Sequence, residues 1–236
     1  GYFFVDHLYK FLNETILGGM GEKEVEQLKF DIAASLQQWT EDMMKEIVKL
    51  GLEKYESKNL CLSGGVTLNC VGITKIYDWF DIDEIYTPPV PYDAGLCLGA
   101  AQYLYHNELG SERVQWKDNS PTYLGETYGK EEIDNAIDKY KDEIVVEKCD
   151  DDKVVDLLDK QNIISVFGGG SESGRRALGN RSILADPRSP KMKDKINEKV
   201  KHRQWYRPFA PSILREEVSK WFQRDIDSPY MSFCLK

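Results

Sequence analysis

The sequence of 236 residues is long enough for one large or two modest domains, and its 41% hydrophobic and 30% charged residues are typical of a globular protein. Its net charge of -9 argues against a nucleic-acid groove, because phosphate backbones are bound by surplus Lys and Arg. The sequence has no apolar run of about 18 residues. For that reason we expect no membrane partner. Its five cysteines lack paired spacing, so we expect reduced thiols and a cytoplasmic location.

The first part of the chain predicts a helical region followed by short strands. Apolar residues recur at three- and four-residue steps over 22–58, which predicts one long helix or a helix pair with a single buried stripe. That stripe consists of Leu28, Ile32, Leu36, Trp39, Met43, Ile47 and Leu50. The elements predicted next are a strand over 59–62, a helix over 69–80, a strand over 84–86 and a small-residue helix over 94–105.

The second part alternates helices with strands beyond a polar, turn-like linker over 109–125. The predicted helices cover 130–140, 150–160, 191–201 and 216–222. Asp150 is the predicted N-cap of the second of them. The predicted strands cover 144–146, 163–167 and 182–185. This alternation is typical of the α/β class.

A pair of glycines, Gly64 and Gly65, lies between the strand over 59–62 and the helix that follows. Such a turn brings backbone N–H groups close to a ligand and points a helix N-terminus at it, which is a common way to hold a nucleotide. A simple strand–turn–helix corner without a ligand explains the same residues.

A second candidate site is the segment PYDAG at 91–95, which precedes a small-residue helix. Asp93 is read either as a helix N-cap or as a ligand for a metal or phosphate group. In the second reading, the small residues around it allow the backbone to approach the ligand closely.

The strongest charge signal comes from cations that lie beside glycine turns: Arg176, Arg181, Lys201, Arg203 and Arg207. Arginine forks match phosphate and carboxylate oxygens, and a site that forms a phosphoanhydride must balance several negative charges. We favour a binding role for the arginines over the alternative that they fix loops through buried ion pairs. The lysines of the helix over 191–201 are expected on a solvated face, and the aromatic residues of 205–209 in the core.

Four segments carry a family resemblance. They are the GGVTLN turn at 64–69, PYDAGLCLGAA at 91–101, GRRALGNRSILADPR at 174–188 and KHRQWYRPFAPS at 201–212. Together they resemble O-carbamoyltransferases of the NodU/CmcH family. The resemblance implies that 1–108 is the second half of an actin-like carbamoyl-transfer domain. It also implies that 126–236 is the first part of a YrdC-like domain that forms carbamoyl adenylate.

By this resemblance, carbamoyl phosphate and ATP are the substrates, and a hydroxyl of a small-molecule or sugar acceptor receives the carbamoyl group. The implied catalytic residues are Arg176, Arg181 and Arg207, with Lys201 and Arg203 also binding carbamoyl phosphate and ATP. The implied nucleotide ligands in the actin-like part are Gly64, Gly65, Asn69 and Gly95. Asp93 is the implied ligand of a divalent metal, iron by the family pattern or alternatively magnesium. A homodimer is compatible with the resemblance.

The sequence departs from the family pattern at several places. Arg175 stands where the family usually has Pro, and 168–171 reads GGGS where the family often carries Gln and Arg. The family's His-x-x-x-His motif has no counterpart in this sequence, and the first residue is Gly1, so we expect a piece of a longer protein. Two other functions stay open: a nucleotide-binding relative of actin-like kinases, and a truncated binding module without turnover.

Overall fold

The computed structural model describes residues 2–11, 13–14, 18–114 and 122–236. The chain divides into two compact units, one formed by 1–58 with 75–82 and the other by 59–74 with 83–236. Within the described residues, no helix combines the length and the apolar content that crossing a bilayer requires.

The first unit contains the helices α1 (Tyr2–Phe11) and α2 (Glu22–Lys54). A single long helix therefore forms where one helix or a helix pair was predicted. The predicted buried stripe is wrong, because six of its seven side chains are exposed. They are Ile32, Leu36, Trp39, Met43, Ile47 and Leu50. The buried positions of α2 are instead Glu41 and Val48.

A carboxylate is buried on α2. Glu41 is only 2% exposed, and its oxygens accept hydrogen bonds from Gln37 (2.8 Å) and from the ammonium group of Lys75. Burial acts to raise the pKa of Glu41, but the two hydrogen bonds and the charge of Lys75 outweigh it and lower that pKa. The pair thus keeps a buried charge ionised within the first unit.

The strands of the second unit form two short sheets. Strands β1 (Asn59–Cys61) and β2 (Glu84–Tyr86) pair in parallel. Helix α3 (Cys70–Trp79) lies between them in the chain, as the crossover that parallel strands require. Strands β3 (Ile163–Phe167) and β4 (Arg181–Ala185) pair antiparallel.

The remaining helices of the second unit are α4 (Leu96–Tyr103), α5 (Lys130–Tyr140), α6 (Asp151–Asp159), α7 (Met192–Lys199) and α8 (Val218–Trp221). The predicted N-cap of α6 is confirmed, since the Asp150 carboxylate accepts the Lys153 N–H at 3.0 Å. The strand predicted over 144–146 is wrong: no strand forms there, and Val145 is 88% exposed. A strand needs a hydrogen-bonded neighbour, which β-branched composition alone does not supply.

Mixed helices and sheets confirm the predicted α/β class. The actin-like and YrdC-like assignments stay predictions, as do the domain boundaries on either side of the 109–125 linker. Residues 115–121 of that linker lie outside the described residues.

Candidate functional site

Four sequence segments meet around a small cavity of about 10 Å³ in the second unit. Arg176 lines it from the GRRALG loop, and Thr67 and Leu68 line it from the Gly-Gly turn. The other lining residues are Pro88, Pro89, Pro91, Tyr230, Met231 and Ser232. A cavity of this volume has room for about one water molecule, so a larger ligand requires the lining residues to move.

The Gly-Gly turn is fixed by hydrogen bonds to the proline-rich segment. The Gly64 N–H donates to the Pro91 carbonyl at 2.6 Å, and the Ser63 hydroxyl donates to the same oxygen at 3.2 Å. Gly64 has φ 103°, a left-handed conformation that glycine adopts easily and that residues with a Cβ atom disfavour. The Thr67 hydroxyl closes the turn by donating to the Gly64 carbonyl at 2.7 Å. Because the Gly64 N–H is already engaged, it does not point at a ligand in this structure.

Other predicted nucleotide ligands have structural roles in this fold. The Asn69 side chain accepts the Gly72 N–H at 3.1 Å, which makes Asn69 the N-cap of α3. A Cβ atom on Gly95 would lie 2.1 Å from the Val90 carbonyl oxygen, so Gly95 is needed for close backbone packing. Gly174 is constrained in the same way, because its Cβ would lie 2.5 Å from the Pro89 carbonyl oxygen.

Asp93 is exposed and begins a short 3-10 turn (Asp93–Gly95). The N-cap position of that turn belongs to Tyr92, and the N-cap of α4 is Gly95, so the N-cap reading of Asp93 is wrong. No group of three or more His, Cys, Asp or Glu side chains that could hold a metal occurs among the described residues. A single exposed carboxylate does not fit a divalent-metal site, which takes several ligands. We therefore derive no step through a metal.

Glu172 organises the GRRALGNRS loop. One of its oxygens accepts three backbone N–H groups, from Leu178 (2.7 Å), Asn180 (3.0 Å) and Arg181 (3.2 Å). Burial acts to raise the pKa of Glu172, but these hydrogen bonds outweigh it and lower that pKa. The carboxylate thus fills the anion-binding concavity that this loop forms, and no phosphate can take its place without displacing it.

Arg176 is half-buried in the wall of the cavity. Among the described residues, no hydrogen bond or ion pair to it forms, although its charge acts on the Cys70 thiol. A guanidinium group carries five donors, so an arginine held beside a cavity without partners is suited to bind an anion there.

Arg181 has the opposite surroundings. Its guanidinium group donates to the carbonyls of Gly168 (2.7 Å), Asn180 (3.0 Å) and Gly169 (3.4 Å), and lies 3.8 Å from the centre of the Phe167 ring. Arg181 therefore fixes the 168–170 turn to the start of β4. It does so by donating to carbonyl groups and not through the buried ion pairs that were the alternative prediction. Asn180 strengthens the same turn by donating to the Gly170 carbonyl at 2.7 Å.

The segment at 201–212, which carries Lys201, Arg203 and Arg207, is held around Asn197 of α7. The Asn197 side chain is almost fully buried. Arg203 donates to the Asn197 side chain at 2.7 Å, and the Asn197 amide donates to the Arg207 carbonyl at 2.9 Å. The side chains of Arg207 and Lys201 are exposed, and among the described residues neither forms an ion pair. The aromatic residues of this segment were predicted in the core, which is wrong, since Trp205 is 70% and Tyr206 53% exposed.

Several residues that shape the site were not predicted. Arg175 stacks on the Tyr92 ring at 4.4 Å and so joins the GRRALG loop to the PYDAG segment. The Tyr123 hydroxyl donates to the Leu178 carbonyl at 2.7 Å. Thr87 donates to the Ser232 hydroxyl at 2.7 Å, which holds the last cavity-lining segment in place. The sequence carried a signal for two of these residues, because Tyr92 lies in the segment at 91–101 and Arg175 in the segment at 174–188, and both segments carry the family resemblance.

Two family models match this sequence. The one described as Carbamoyltransferase N-terminus matches residues 6–102, and the one described as Carbamoyltransferase C-terminus matches residues 155–236. The second match includes Glu172 and the arginines discussed above, and the first includes the Gly-Gly turn and Asp93.

Similar proteins come from archaea and bacteria. An uncharacterized protein of Methanocaldococcus jannaschii is 38% identical over 212 residues, which make up 87% of this chain and 34% of that protein. Nodulation protein NolNO of Sinorhizobium fredii is 37% identical over 216 residues, 87% of this chain and 31% of that protein. Nodulation protein NolO of Bradyrhizobium diazoefficiens is 36% identical over 213 residues, 87% of this chain and 38% of that protein. The chain thus spans about a third of the length of these relatives.

Proposed function

This chain belongs to the carbamoyltransferase family, and from that membership we propose a specific reaction for the protein. Carbamoyl phosphate, ATP and water form carbamoyl adenylate with release of phosphate and pyrophosphate, and the carbamoyl group then passes to a hydroxyl group of a small-molecule or sugar acceptor with release of AMP. The actin-like and YrdC-like folds that the sequence resembles belong to this proposal.

The observation that supports the proposal is the position of Arg176 in the wall of the cavity where the matched segments meet. Carbamoyl phosphate and ATP present phosphate oxygens, which an arginine binds through charge-assisted hydrogen bonds. We assign Arg176 to the phosphate group of carbamoyl phosphate. The Ser232 hydroxyl also lines this cavity, and because it accepts its hydrogen bond from Thr87 it can donate to a further oxygen.

The other cations have two separate roles in this proposal. Arg207 and Lys201 are exposed and are assigned to the phosphates of ATP. Arg181 and Arg203 fix the loops on which binding depends, since their guanidinium groups are engaged with carbonyl and amide groups. Positioning and charge stabilisation carry the reaction, and an arginine that holds the leaving phosphate stabilises the charge that develops on it.

The proposal is tested by titrating carbamoyl phosphate into the protein with calorimetric detection. Loss of one charge-assisted contact costs about 1.5–3 kcal/mol, so Arg176→Ala should weaken binding roughly 10- to 150-fold. The control is Arg113→Ala, which removes the same charge from an exposed position outside the site. Equal affinity in Arg176→Ala and in the unmodified protein would overturn the assignment.

A product assay separates the proposed reaction from the kinase alternative. With ATP, carbamoyl phosphate and a panel of hydroxyl compounds, the proposed route releases AMP and pyrophosphate, whereas a kinase releases ADP. Release of ADP together with a phosphorylated acceptor would contradict carbamoyl transfer.

A further inference from the structure

Two cysteines, Cys70 and Cys234, have backbone groups that are hydrogen-bonded to one threonine hydroxyl. The Thr74 hydroxyl donates to the Cys70 carbonyl at 2.7 Å and accepts the Cys234 N–H at 2.7 Å. Thr74 lies one helical turn after Cys70, so the two side chains are on the same face of α3. Cys234 is therefore hydrogen-bonded to the face of α3 that carries Cys70.

The two thiols differ in exposure and influence each other. Cys70 is half-buried and Cys234 is exposed, and both are free in this structure. Burial raises the pKa of Cys70, and the nearby Cys234 raises it further. The exposed Cys234 thiol is accessible to an oxidant from solution.

The segment that ends at Cys234 also lines the cavity. Tyr230, Met231 and Ser232 line the cavity together with Arg176, and Met231 has φ 57°, a left-handed conformation that is uncommon for a bulky residue. The position of this segment depends on the hydrogen bonds that Ser232 and Cys234 make. A covalent link at Cys234 would hold the segment in place.

We propose that Cys70 and Cys234 form a reversible disulfide that fixes the 230–232 segment against the cavity. A disulfide oxidant such as glutathione disulfide supplies the oxidising equivalents. The Cys234 thiolate attacks it and releases one glutathione thiolate; the Cys70 thiolate then attacks the Cys234 sulfur and releases the second. Two protein thiols are oxidised, one glutathione disulfide is reduced to two thiols, and the two thiol protons go to solvent.

The chain offers internal controls, because Cys61, Cys97 and Cys149 are exposed. After equilibration in glutathione buffers of rising oxidised fraction, free thiols are alkylated and the peptides are analysed by mass spectrometry. Trypsin leaves Cys61 and Cys70 together in residues 59–75, so Cys61→Ser is used to make the assignment unique. Cys234 is released in residues 225–236.

The expected result is a linked pair of peptides 59–75 and 225–236. Alkylation of Cys70 and Cys234 should fall together by at least about tenfold, while that of Cys97 and Cys149 changes less than about twofold. Linkages spread over the exposed cysteines, or a Cys70 that stays open to alkylation, would overturn the disulfide.

The effect on the cavity rests on the proposed function and is measured separately, as the affinity for carbamoyl phosphate before and after reduction. We expect the oxidised protein to bind at least about tenfold more weakly, because the cavity cannot open. A mapped disulfide with unchanged affinity overturns this effect alone, whereas loss of binding in both redox states counts against the proposed function instead.

Discussion

Glu41 on α2 and Glu172 before the GRRALG loop are both carboxylates removed from water, but their negative charge is balanced differently. Glu41 is balanced by side chains, chiefly the ammonium group of Lys75. Glu172 is followed closely by Arg175, Arg176 and Arg181, yet it accepts only backbone N–H groups. A carboxylate satisfied by the backbone leaves neighbouring guanidinium groups available for other partners. This difference separates a pair that serves stability from a loop that presents cations.

The largest expected effect concerns the side-chain pair. Lys75→Met should destabilise the protein by about 3–5 kcal/mol, because it leaves the buried Glu41 charge without its cation. The free energy of unfolding is measured by urea titration. The double variant Glu41→Leu with Lys75→Leu is the control and should recover most of the loss, since replacing both charges with apolar groups is often neutral. A Lys75→Met variant as stable as the unmodified protein would contradict the role of the pair.

A smaller effect is expected for the backbone-satisfied carboxylate. Glu172→Gln keeps the shape of the side chain but removes the charge that three N–H groups bind, which should cost about 1.5–3 kcal/mol in the free energy of unfolding. Glu131→Gln changes an exposed acid in the first turn of α5 and should stay within about 0.5 kcal/mol. Equal losses in the two variants would show that the loop does not depend on Glu172.

The same variant gives a pH test with a defined sign. Because the pKa of Glu172 is lowered from 4.5 in the folded protein, its contribution to stability is complete above that value. The contribution is lost as the pH falls through the folded pKa. The stability difference between the unmodified protein and Glu172→Gln should therefore be constant near neutral pH and shrink as the pH falls below 4.5. A difference that grows on acidification would contradict a lowered pKa.

The smallest effects compare two arginines of one loop. Arg181→Met removes hydrogen bonds to four carbonyls, the three named above and that of Glu126, and should cost about 1–2 kcal/mol, because those carbonyls lose their donor. Arg176→Met removes no hydrogen bond within the described residues and should change stability by less than about 0.5 kcal/mol. Thermal and urea unfolding of both variants measure this contrast. A loss as large in Arg176→Met as in Arg181→Met would mean that Arg176 has a structural partner.

Local patterns in the sequence were sufficient for most elements of the second unit. Helix α3, strand β4 and the Asp150 cap all have nearby signals, namely periodicity, β-branched residues and an acid before a helix. The stripe on α2 was misjudged because periodicity identifies an apolar face but does not say which face is covered. The segment over 144–146 failed because strand formation depends on a distant partner.

The candidate site was predictable only in part, for a related reason. The matched segments indicated Arg176 and the Gly-Gly turn, and the structure brings these two together at one cavity. The different roles of Arg181 and Arg203 depend on which carbonyls the folded loops present, which the charge of an arginine does not reveal. Glu172 was missed as the organiser of the loop because the N–H groups of Leu178, Asn180 and Arg181 converge on it only after the backbone has turned.

The glycines that press against backbone carbonyls have a consequence for how this sequence can vary. Gly95, Gly170 and Gly174 each leave no room for a Cβ atom, and the obstructing atom in every case is a backbone carbonyl oxygen. A clash with a flexible side chain can be relieved by a new rotamer, but a carbonyl can yield only if its whole loop shifts. In a library that encodes all amino acids at each position, selection for folded protein would retain almost only glycine at these three sites. Exposed Gly99, which has nothing within 4 Å, would accept many.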